Sequence, residues 1–271
     1  MRPKISLLHP TFFREGGATF VRDAWLDSAS HPDKIEYLLA VTSTDHRGLL
    51  DTANLDRIVV EPVESHSTSV RNWNALAERS TGDLLFVIAD DLVPAYRGWD
   101  EQIDRLVGGF DPLKNAFAIK VDDNGDPTDV QLRHPLISRK HYARFGLWDK
   151  RFRGMWVDDD FTLSAFWKSR IIDGRDVRFI HTNPVLDERV TPSVSFVKAN
   201  TFEEYNFGKN QFITKWHPAL RHTRVRLHSS QSASTRVRRR QFLRSQEVIR
   251  LVWHSRIFLP LRRAYLSWAK L

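Results

Sequence analysis

The first half of the chain alternates short apolar runs with amphipathic segments. Short apolar runs predict strands, and the continuous run at 84–89 predicts a strand that is buried on both faces. These runs lie at 4–8, 37–41, 57–60 and 84–89. Apolar side chains recur at helical spacing between them, over 18–29 and 67–80. Strands that alternate with helices predict a parallel sheet with helices on its faces.

The second half is less regular. Its apolar segments predict three further strands, at 116–120, 130–137 and 177–180. They also predict two helices, at 138–145 and 161–170. The pattern therefore indicates an α/β protein throughout.

The composition is that of a globular protein with an ample core. The 271 residues are 41% hydrophobic and 27% charged, which excludes low-complexity disorder and fits one large domain, alone or with an appendage. The absence of cysteine excludes disulfide scaffolds, thiolate metal sites and cysteine nucleophiles. The first ten residues lack the apolar stretch of a secretory leader, and no window holds the ~18 apolar residues of a membrane span. We therefore expect a cytoplasmic protein.

Charge divides the chain into two parts. Residues 221–271 hold 13 of the 41 basic residues and one of the 33 acidic ones, so this segment carries +12 and residues 1–220 carry −4. A Ser-rich stretch without large apolar residues marks the boundary. We interpret 1–220 as one α/β domain and 221–271 as a basic, amphipathic helical tail.

Three kinds of partner fit this tail, which mixes arginines with large apolar residues at near-helical spacing. The first is an anionic membrane surface, which would make the protein peripheral at the inner face of the membrane. The second is protein, either the body of the same chain or another subunit. The third is nucleic acid, and the many large aliphatic side chains argue against it.

Two carboxylates end the most apolar predicted strand. Asp90 and Asp91 follow six apolar residues, and ligands of open α/β sheets bind beyond the carboxyl ends of the strands. Mg²⁺ or Mn²⁺ is a suitable partner for buried acids, because these ions prefer carboxylate oxygens and share them with substrate phosphates. Adjacent strand residues point to opposite sides, so one acid fits a metal and the other a ribose hydroxyl or the protein. Alternatively, Asp91 caps the next turn and Asp90 is solvated.

A second acidic cluster, Asp158 to Asp160, lies at the start of a segment rich in aromatic residues. One interpretation is helix capping, since acids at a helix N-terminus suit its dipole. The other is a general base, because apolar and like-charged surroundings raise the proton affinity of a carboxylate. Trp148 and Trp156 offer either stacking faces for a sugar ring or ordinary core side chains.

Four blocks follow one another along the chain: an opening strand with its turn, an Arg-Asn helix before a glycine, the acidic pair after the central strand, and the Trp- and Asp-rich segment. They lie at 6–14, 69–83, 86–94 and 146–161. Together they resemble the family 2 glycosyltransferases of the GT-A fold, over about residues 4–185. Ala89 stands where many members have a first Asp, so the acidic motif has one fewer possible metal ligand.

The resemblance implies a GT-A-like (Rossmann-like) α/β fold, with a mixed, mostly parallel sheet flanked by helices and the basic helical tail as an extension. It implies a metal-dependent glycosyltransferase of the hexosyltransferase type that uses Mn²⁺ or Mg²⁺. The donor is then a nucleotide-diphosphate sugar, the acceptor a saccharide or lipid-linked hydroxyl, and the reaction a single displacement with inversion.

Two other classes of function stay open. A nucleotidyltransferase also uses a metal and acids on an α/β sheet, and the segment Arg14 to Gly17 is a weak signal for its phosphate loop. A non-catalytic, membrane-associated binding module on a transferase fold is the other class, and Ala89 is the hint for it.

The resemblance also assigns individual residues. The donor pocket takes Thr11, Arg14, Asp45, Arg71 and Asp90. The metal takes Asp91, with His181 either as a further ligand or as a structural histidine. The base is Asp158, or Asp159 in a register one residue later, and the acceptor region takes Trp148 and Trp156.

Overall fold

A computed structural model describes most of the domain. The described residues are 2–12, 17–62, 69–123, 129–184, 189–193, 196–197 and 200–221. Within them lie eight strands: β1 (Ile5–Thr11), β2 (Ile35–Thr42), β3 (Arg57–Val60), β4 (Leu84–Val87), β5 (Leu92–Pro94), β6 (Phe117–Asp122), β7 (Leu136–Ser138) and β8 (Arg170–His181). The helices are α1 (Gly17–Asp27), α2 (His46–Asp51), α3 (Ser69–Arg79), α4 (Trp99–Val107), α5 (Arg139–Phe145), α6 (Val157–Lys168) and α7 (Phe202–Arg221).

The strands form one mixed sheet in the order β3-β2-β1-β4-β7-β6-β8-β5. The half built from β1 to β4 is parallel, as the alternation of strands and helices predicted. β7 runs antiparallel to both of its neighbours, and β5 runs antiparallel to β8. β6 and β8 are parallel to each other. The α/β fold with a mixed, mostly parallel sheet is therefore confirmed.

A hydrophobic cluster covers each face of the sheet. On one face, Trp25, Phe86, Trp99 and Phe179 pack ring against ring, with centroids 4.9 to 6.5 Å apart. On the other face, α3, α6 and α7 contribute apolar side chains to a second cluster. All four residues of β4 are buried. The continuous apolar run at 84–89 follows from this position between the two layers.

One predicted strand is largely wrong. The apolar pattern predicted a strand over 130–137, but only Leu136–Ser138 pairs in the sheet. The residues before it are buried by side-chain contacts instead: the Gln131 N–H donates to Asp129, and the Leu132 N–H donates to Thr162 of α6. Backbone groups that bond to side chains do not form a ladder, so this segment is a loop.

The topology brings several chain segments to one edge of the sheet. β1 and β4 are adjacent and parallel, so the residues after both strands lie at the same edge. The pairing of β5 with β8 brings the end of β8 to the same place, because Leu92 faces His181 and the Thr182 N–H donates to the Asp91 carbonyl at 2.8 Å. The acidic pair therefore meets the C-terminal end of β8.

Candidate functional site

An aspartate and two histidines form a compact group at this edge. Asp91 follows β4, His181 is the last residue of β8, and His134 lies in the loop before β7. One ligand atom from each residue lies within 4.8 Å of the others. Asp91 Oδ1 is 3.6 Å from His181 Nε2, and the two imidazole rings meet edge to face with centroids 4.7 Å apart. A carboxylate and two imidazoles are suitable ligands for a divalent transition metal.

A carboxylate behind the group orients one of its histidines. Asp123 Oδ2 is 3.2 Å from His134 Nδ1, which leaves Nε2 as the ring nitrogen for a ligand. Burial lowers the pKa of His134, against the opposing effect of Asp123. A neutral imidazole is the form that binds a metal. Asp123 therefore supports the same chemistry as the three candidate ligands.

Three charged side chains surround this carboxylate, and the four charges balance one another. Lys120 Nζ lies 2.9 Å from Asp123 and 3.3 Å from Asp129, and Arg133 Nη1 lies 3.1 Å from Asp123 and 2.5 Å from Asp129. Burial by itself raises the pKa of Asp123, but Arg133, His134 and Lys120 together hold that pKa well below its usual range. We name these four residues, Lys120, Asp123, Asp129 and Arg133, the ion cluster. The opposite charges within the ion cluster offset the free-energy cost of burying each of them.

The three acids at the start of α6 have different surroundings. Asp158 Oδ2 accepts a hydrogen bond from Gln131 Nε2 at 2.8 Å. Burial raises the pKa of Asp158, against the lowering effect of Arg133. Asp159 is half-buried in the same turn. Asp160 is only 2% exposed, and it accepts hydrogen bonds from Lys215 and Trp216 of α7 at 2.7 and 2.8 Å.

Three of the predicted donor residues lie at or near the ends of β1, β2 and β4, and a fourth lies on α3. Thr11 ends β1 and is buried, and its hydroxyl has no hydrogen-bond partner among the described residues. Asp45 is buried and caps α2, with Oδ1 accepting from the Gly48 N–H at 2.9 Å. Arg71 is exposed on α3. Arg14 lies outside the described residues.

Asp90 lies at the end of a hydrogen-bonded chain. Its Oδ1 is 2.9 Å from Nε2 of the buried His9, and its Oδ2 accepts the Phe12 N–H at 3.2 Å. Nδ1 of the same histidine bonds the Tyr37 hydroxyl. Burial, reinforced by Asp90, raises the pKa of Tyr37, so the phenol stays protonated. The protein therefore fixes the orientation of this carboxylate through two strands.

The two predicted acceptor residues differ in exposure. Trp148 is only 5% exposed and packs against Phe161, with ring centroids 5.1 Å apart. This burial leaves Trp148 little ring surface for an acceptor. Trp156 is half-buried immediately before α6, where it packs on Tyr205 and Phe212 of α7.

Sequence reasoning missed several residues of this site. His134, Asp123, Gln131 and Arg133 all belong to the segment between β6 and β7, part of which the pattern predicted as a strand. A signal was present, since Asp129 to His134 places four polar or charged residues in a segment of six. A buried strand does not tolerate that composition without partners.

Comparison with solved structures defines the fold. Neither a protein-family model nor a curated protein sequence gives a significant match to this chain. The mannosyltransferase PcManGT from Pyrobaculum calidifontis, solved with GDP-Man and Mn²⁺, is similar over 100% of this chain and 76% of its own, with 15% identity and a TM-score of 0.55. TarS 1–349 from S. aureus, solved with UDP-GlcNAc, is similar over 90% of this chain and 72% of its own, with 11% identity and a TM-score of 0.56. The chain has the GT-A fold.

The GT-A fold confirms the architecture that the four sequence blocks implied. The C-terminal tail, by contrast, lies outside the described residues from 222 onward, so its predicted helices and partners stay predictions. Among the helices that the structure describes, none combines the length and the apolar character needed to cross a membrane.

Proposed function

We propose that this chain is a metal-dependent glycosyltransferase, which moves a hexosyl group from a nucleotide-diphosphate sugar to an acceptor hydroxyl with inversion. The observation that carries the proposal is the convergence of Asp91, His134 and His181 at the carboxyl ends of the GT-A strands. The similar structures support it, since PcManGT was solved with GDP-Man and Mn²⁺ and TarS with UDP-GlcNAc.

The proposed metal ligands are Asp91, His134 and His181. Two imidazoles beside one carboxylate favour Mn²⁺ over Mg²⁺, because Mg²⁺ prefers oxygen ligands and keeps its waters. The second histidine supplies a ligand that Ala89 does not offer in the acidic motif. A bound cation would neutralise the charge that develops on the leaving diphosphate.

The donor pocket is proposed to lie over the ends of β1, β2 and β4. Thr11 ends β1 and Asp90 follows the adjacent parallel strand β4, which supports their assignment to the ribose and diphosphate end of the donor. Asp45 and Arg71 flank the same edge from α2 and α3, and Arg14 follows β1 in sequence. We assign these five residues to donor binding.

Asp158 is the proposed base. Its carboxylate takes the proton of the acceptor hydroxyl while that oxygen bonds the anomeric carbon, and the bond from this carbon to the diphosphate oxygen breaks with its electron pair leaving on the diphosphate. The burial that raises the pKa of Asp158 makes it a better proton acceptor. Its contact with Gln131, in the loop that also carries His134, favours it over Asp159.

The acceptor is proposed to approach over Trp156, with Trp148 supporting the pocket from the core. Trp156 directly precedes the turn that carries Asp158, so a hydroxyl held there lies on the side of the base. A saccharide suits this arrangement because sugar rings stack on indole faces. A lipid-linked saccharide also agrees with a tail that binds the membrane.

Calorimetric titration and a hydrolysis assay test the proposal. We expect GDP or UDP to bind more tightly with Mn²⁺ than with a chelator, and Asp91→Asn to lose this difference while Asp173→Asn, an exposed control, keeps it. GDP-mannose or UDP-N-acetylglucosamine should release its nucleotide, and Asp158→Asn should bind the donor but lose nearly all turnover.

Three results would contradict this account. Wild-type turnover in Asp158→Asn would exclude the base. Binding without turnover across donors would favour the non-catalytic binding module. Release of pyrophosphate from a nucleoside triphosphate would favour the nucleotidyltransferase.

A further inference from the structure

One loop contacts both halves of the proposed site. Gln131 donates to the base Asp158, and His134, three residues later, belongs to the metal group. Gln131 is only 5% exposed, so water does not compete freely for its amide. A buried side chain with one well-defined partner has a fixed orientation.

The ion cluster and α6 together hold this amide in place. The Gln131 backbone N–H donates to Asp129 Oδ1 at 2.9 Å, and Asp129 is itself held by Lys120 and Arg133. The following residue is tied to α6, since the Leu132 N–H donates to Thr162 Oγ1 at 2.9 Å. The hydroxyl of Thr162 donates to the Asp158 carbonyl at 2.6 Å. The loop and the base therefore form one rigid unit.

A neutral donor suits the chemistry of a base. An amide N–H stabilises the ionised carboxylate that has to be present before the reaction. It carries no formal charge, so it does not bind the carboxylate as strongly as lysine or arginine would. The charged groups that act on Asp158 are Arg133 and Asp123 on the loop side. On the α7 side, Lys215 contacts Asp160 instead.

We propose that Gln131 is a positioning residue for the base: its amide fixes the rotation of the Asp158 carboxylate and keeps it ionised. This inference rests on the proposed function, in which Asp158 takes the acceptor proton. It adds a residue that touches neither the donor nor the metal. Its contribution is therefore expected in turnover and in the pH profile, and not in nucleotide affinity.

The test uses the full chain with Gln131→Leu and Gln131→Glu, and with Gln102→Leu on α4 as the matched control. The probe is hydrolysis of whichever of GDP-mannose and UDP-N-acetylglucosamine the wild type cleaves, followed from pH 4 to 9. We expect Gln131→Leu to lower kcat by about 10- to 100-fold, as for one hydrogen bond to a charged group. The acidic limb of the kcat profile should move to higher pH, because the ionised form loses a donor.

Gln131→Glu keeps the shape of the side chain, so it serves as a second variant if Gln131→Leu does not fold. It places a second carboxylate beside Asp158, so the acidic limb should move further in the same direction. Both variants should bind GDP or UDP with Mn²⁺ as the wild type does. An unchanged pH limb in both variants, or nucleotide affinity that falls in parallel with kcat, would overturn the inference.

The same variants distinguish the role of Gln131 from the assignment of Asp158 as the base. If the Gln131 variants match the wild type while Asp158→Asn is inactive, only the role of Gln131 is wrong. If Asp158→Asn retains wild-type turnover, the base assignment of the proposed function is wrong.

Discussion

At the start of α6, Asp158 and Asp160 have the same side chain but different surroundings, which give them different roles. Asp160 is satisfied by Lys215 and Trp216, so its carboxylate holds two helices together. Asp158 receives a neutral amide instead, and burial raises its pKa. The first arrangement suits a structural ion pair, and the second suits a group that gains and loses a proton.

Asp123 provides a prediction at this scale. Asp123→Asn weakens the acceptor that orients His134, so we expect the affinity for Mn²⁺ alone to fall by about 10- to 100-fold, as for other carboxylates behind a metal-bound histidine. Titration calorimetry below the melting transition measures this change. Asp104→Asn, which removes a surface partner of Arg2, is the control. Wild-type Mn²⁺ affinity in Asp123→Asn would show that His134 is not a ligand.

Individual site residues were predictable where a strand ends. Asp91 and His181 each follow an apolar segment, and the sheet brings such ends together. His134 gave no such signal, because its segment alternates apolar and polar residues as a strand does but folds as a loop. Its place beside Asp91 depends on the ion cluster, whose members lie up to 13 residues apart.

At the scale of elements, α7 fixes the turn that carries the base. Gly208 approaches the loop before α6 so closely that an added Cβ would lie 2.1 Å from the Met155 carbonyl oxygen. Trp156 has a positive φ of 68° and is packed under the same helix. Arg153 lies over the Phe207 ring at 3.8 Å. These contacts hold α7 and the start of α6 together, and the sequence patterns did not predict α7.

A substitution of Lys215 tests whether its contacts hold α7 against the start of α6. Lys215→Met leaves the buried Asp160 with Trp216 as a donor but without its cation, so we expect the free energy of unfolding to fall by about 1–3 kcal/mol. Lys150→Met removes an exposed pair with Glu78 and should change the free energy of unfolding by less than about 0.5 kcal/mol. Urea unfolding at pH 7 measures both. Equal stabilities of the two variants would contradict the docking.

The same variant has a predicted pH dependence. Burial opposes the ionisation of Asp149, but hydrogen bonds from Arg151 and Lys215 outweigh it and lower the pKa of Asp149. A lowered pKa contributes stability above the unfolded value of about 4, and this stability is lost as the pH falls through the folded value. The difference between wild type and Lys215→Met should therefore be larger at pH 7 than at pH 3. A difference that grows on acidification would contradict this assignment.

The strands β1 to β4 were predictable because each is a short apolar run between turn signals, and in β1 and β4 almost every residue is buried. The start of α6 was predicted four residues too late and its end two residues too late, because three aspartates that form its first turn were interpreted as a cap before the helix. Local patterns of apolar residues indicate which segments are buried. They do not indicate which distant side chain forms a hydrogen bond with a buried polar group.

For the whole molecule, the charge asymmetry predicts where the protein binds. The body carries −4 and the tail +12, and a basic amphipathic segment is attracted to anionic lipid. We expect the full chain to sediment with phosphatidylglycerol vesicles at low salt, less with phosphatidylcholine vesicles, and to lose this binding without residues 236–271. Equal sedimentation of the truncated chain, or a change of oligomeric state on truncation without any lipid binding, would favour the protein-packing alternative.

The central claim is that Asp91, His134 and His181 hold a divalent cation beside a nucleotide diphosphate on the GT-A fold. A crystal soaked with Mn²⁺ and GDP or UDP, with diffraction recorded at the manganese absorption edge, tests it most directly. The account predicts an anomalous peak within coordination distance of all three side chains, with the diphosphate on the same ion. A peak elsewhere, or a nucleotide bound away from the ends of β1 and β4, would contradict it.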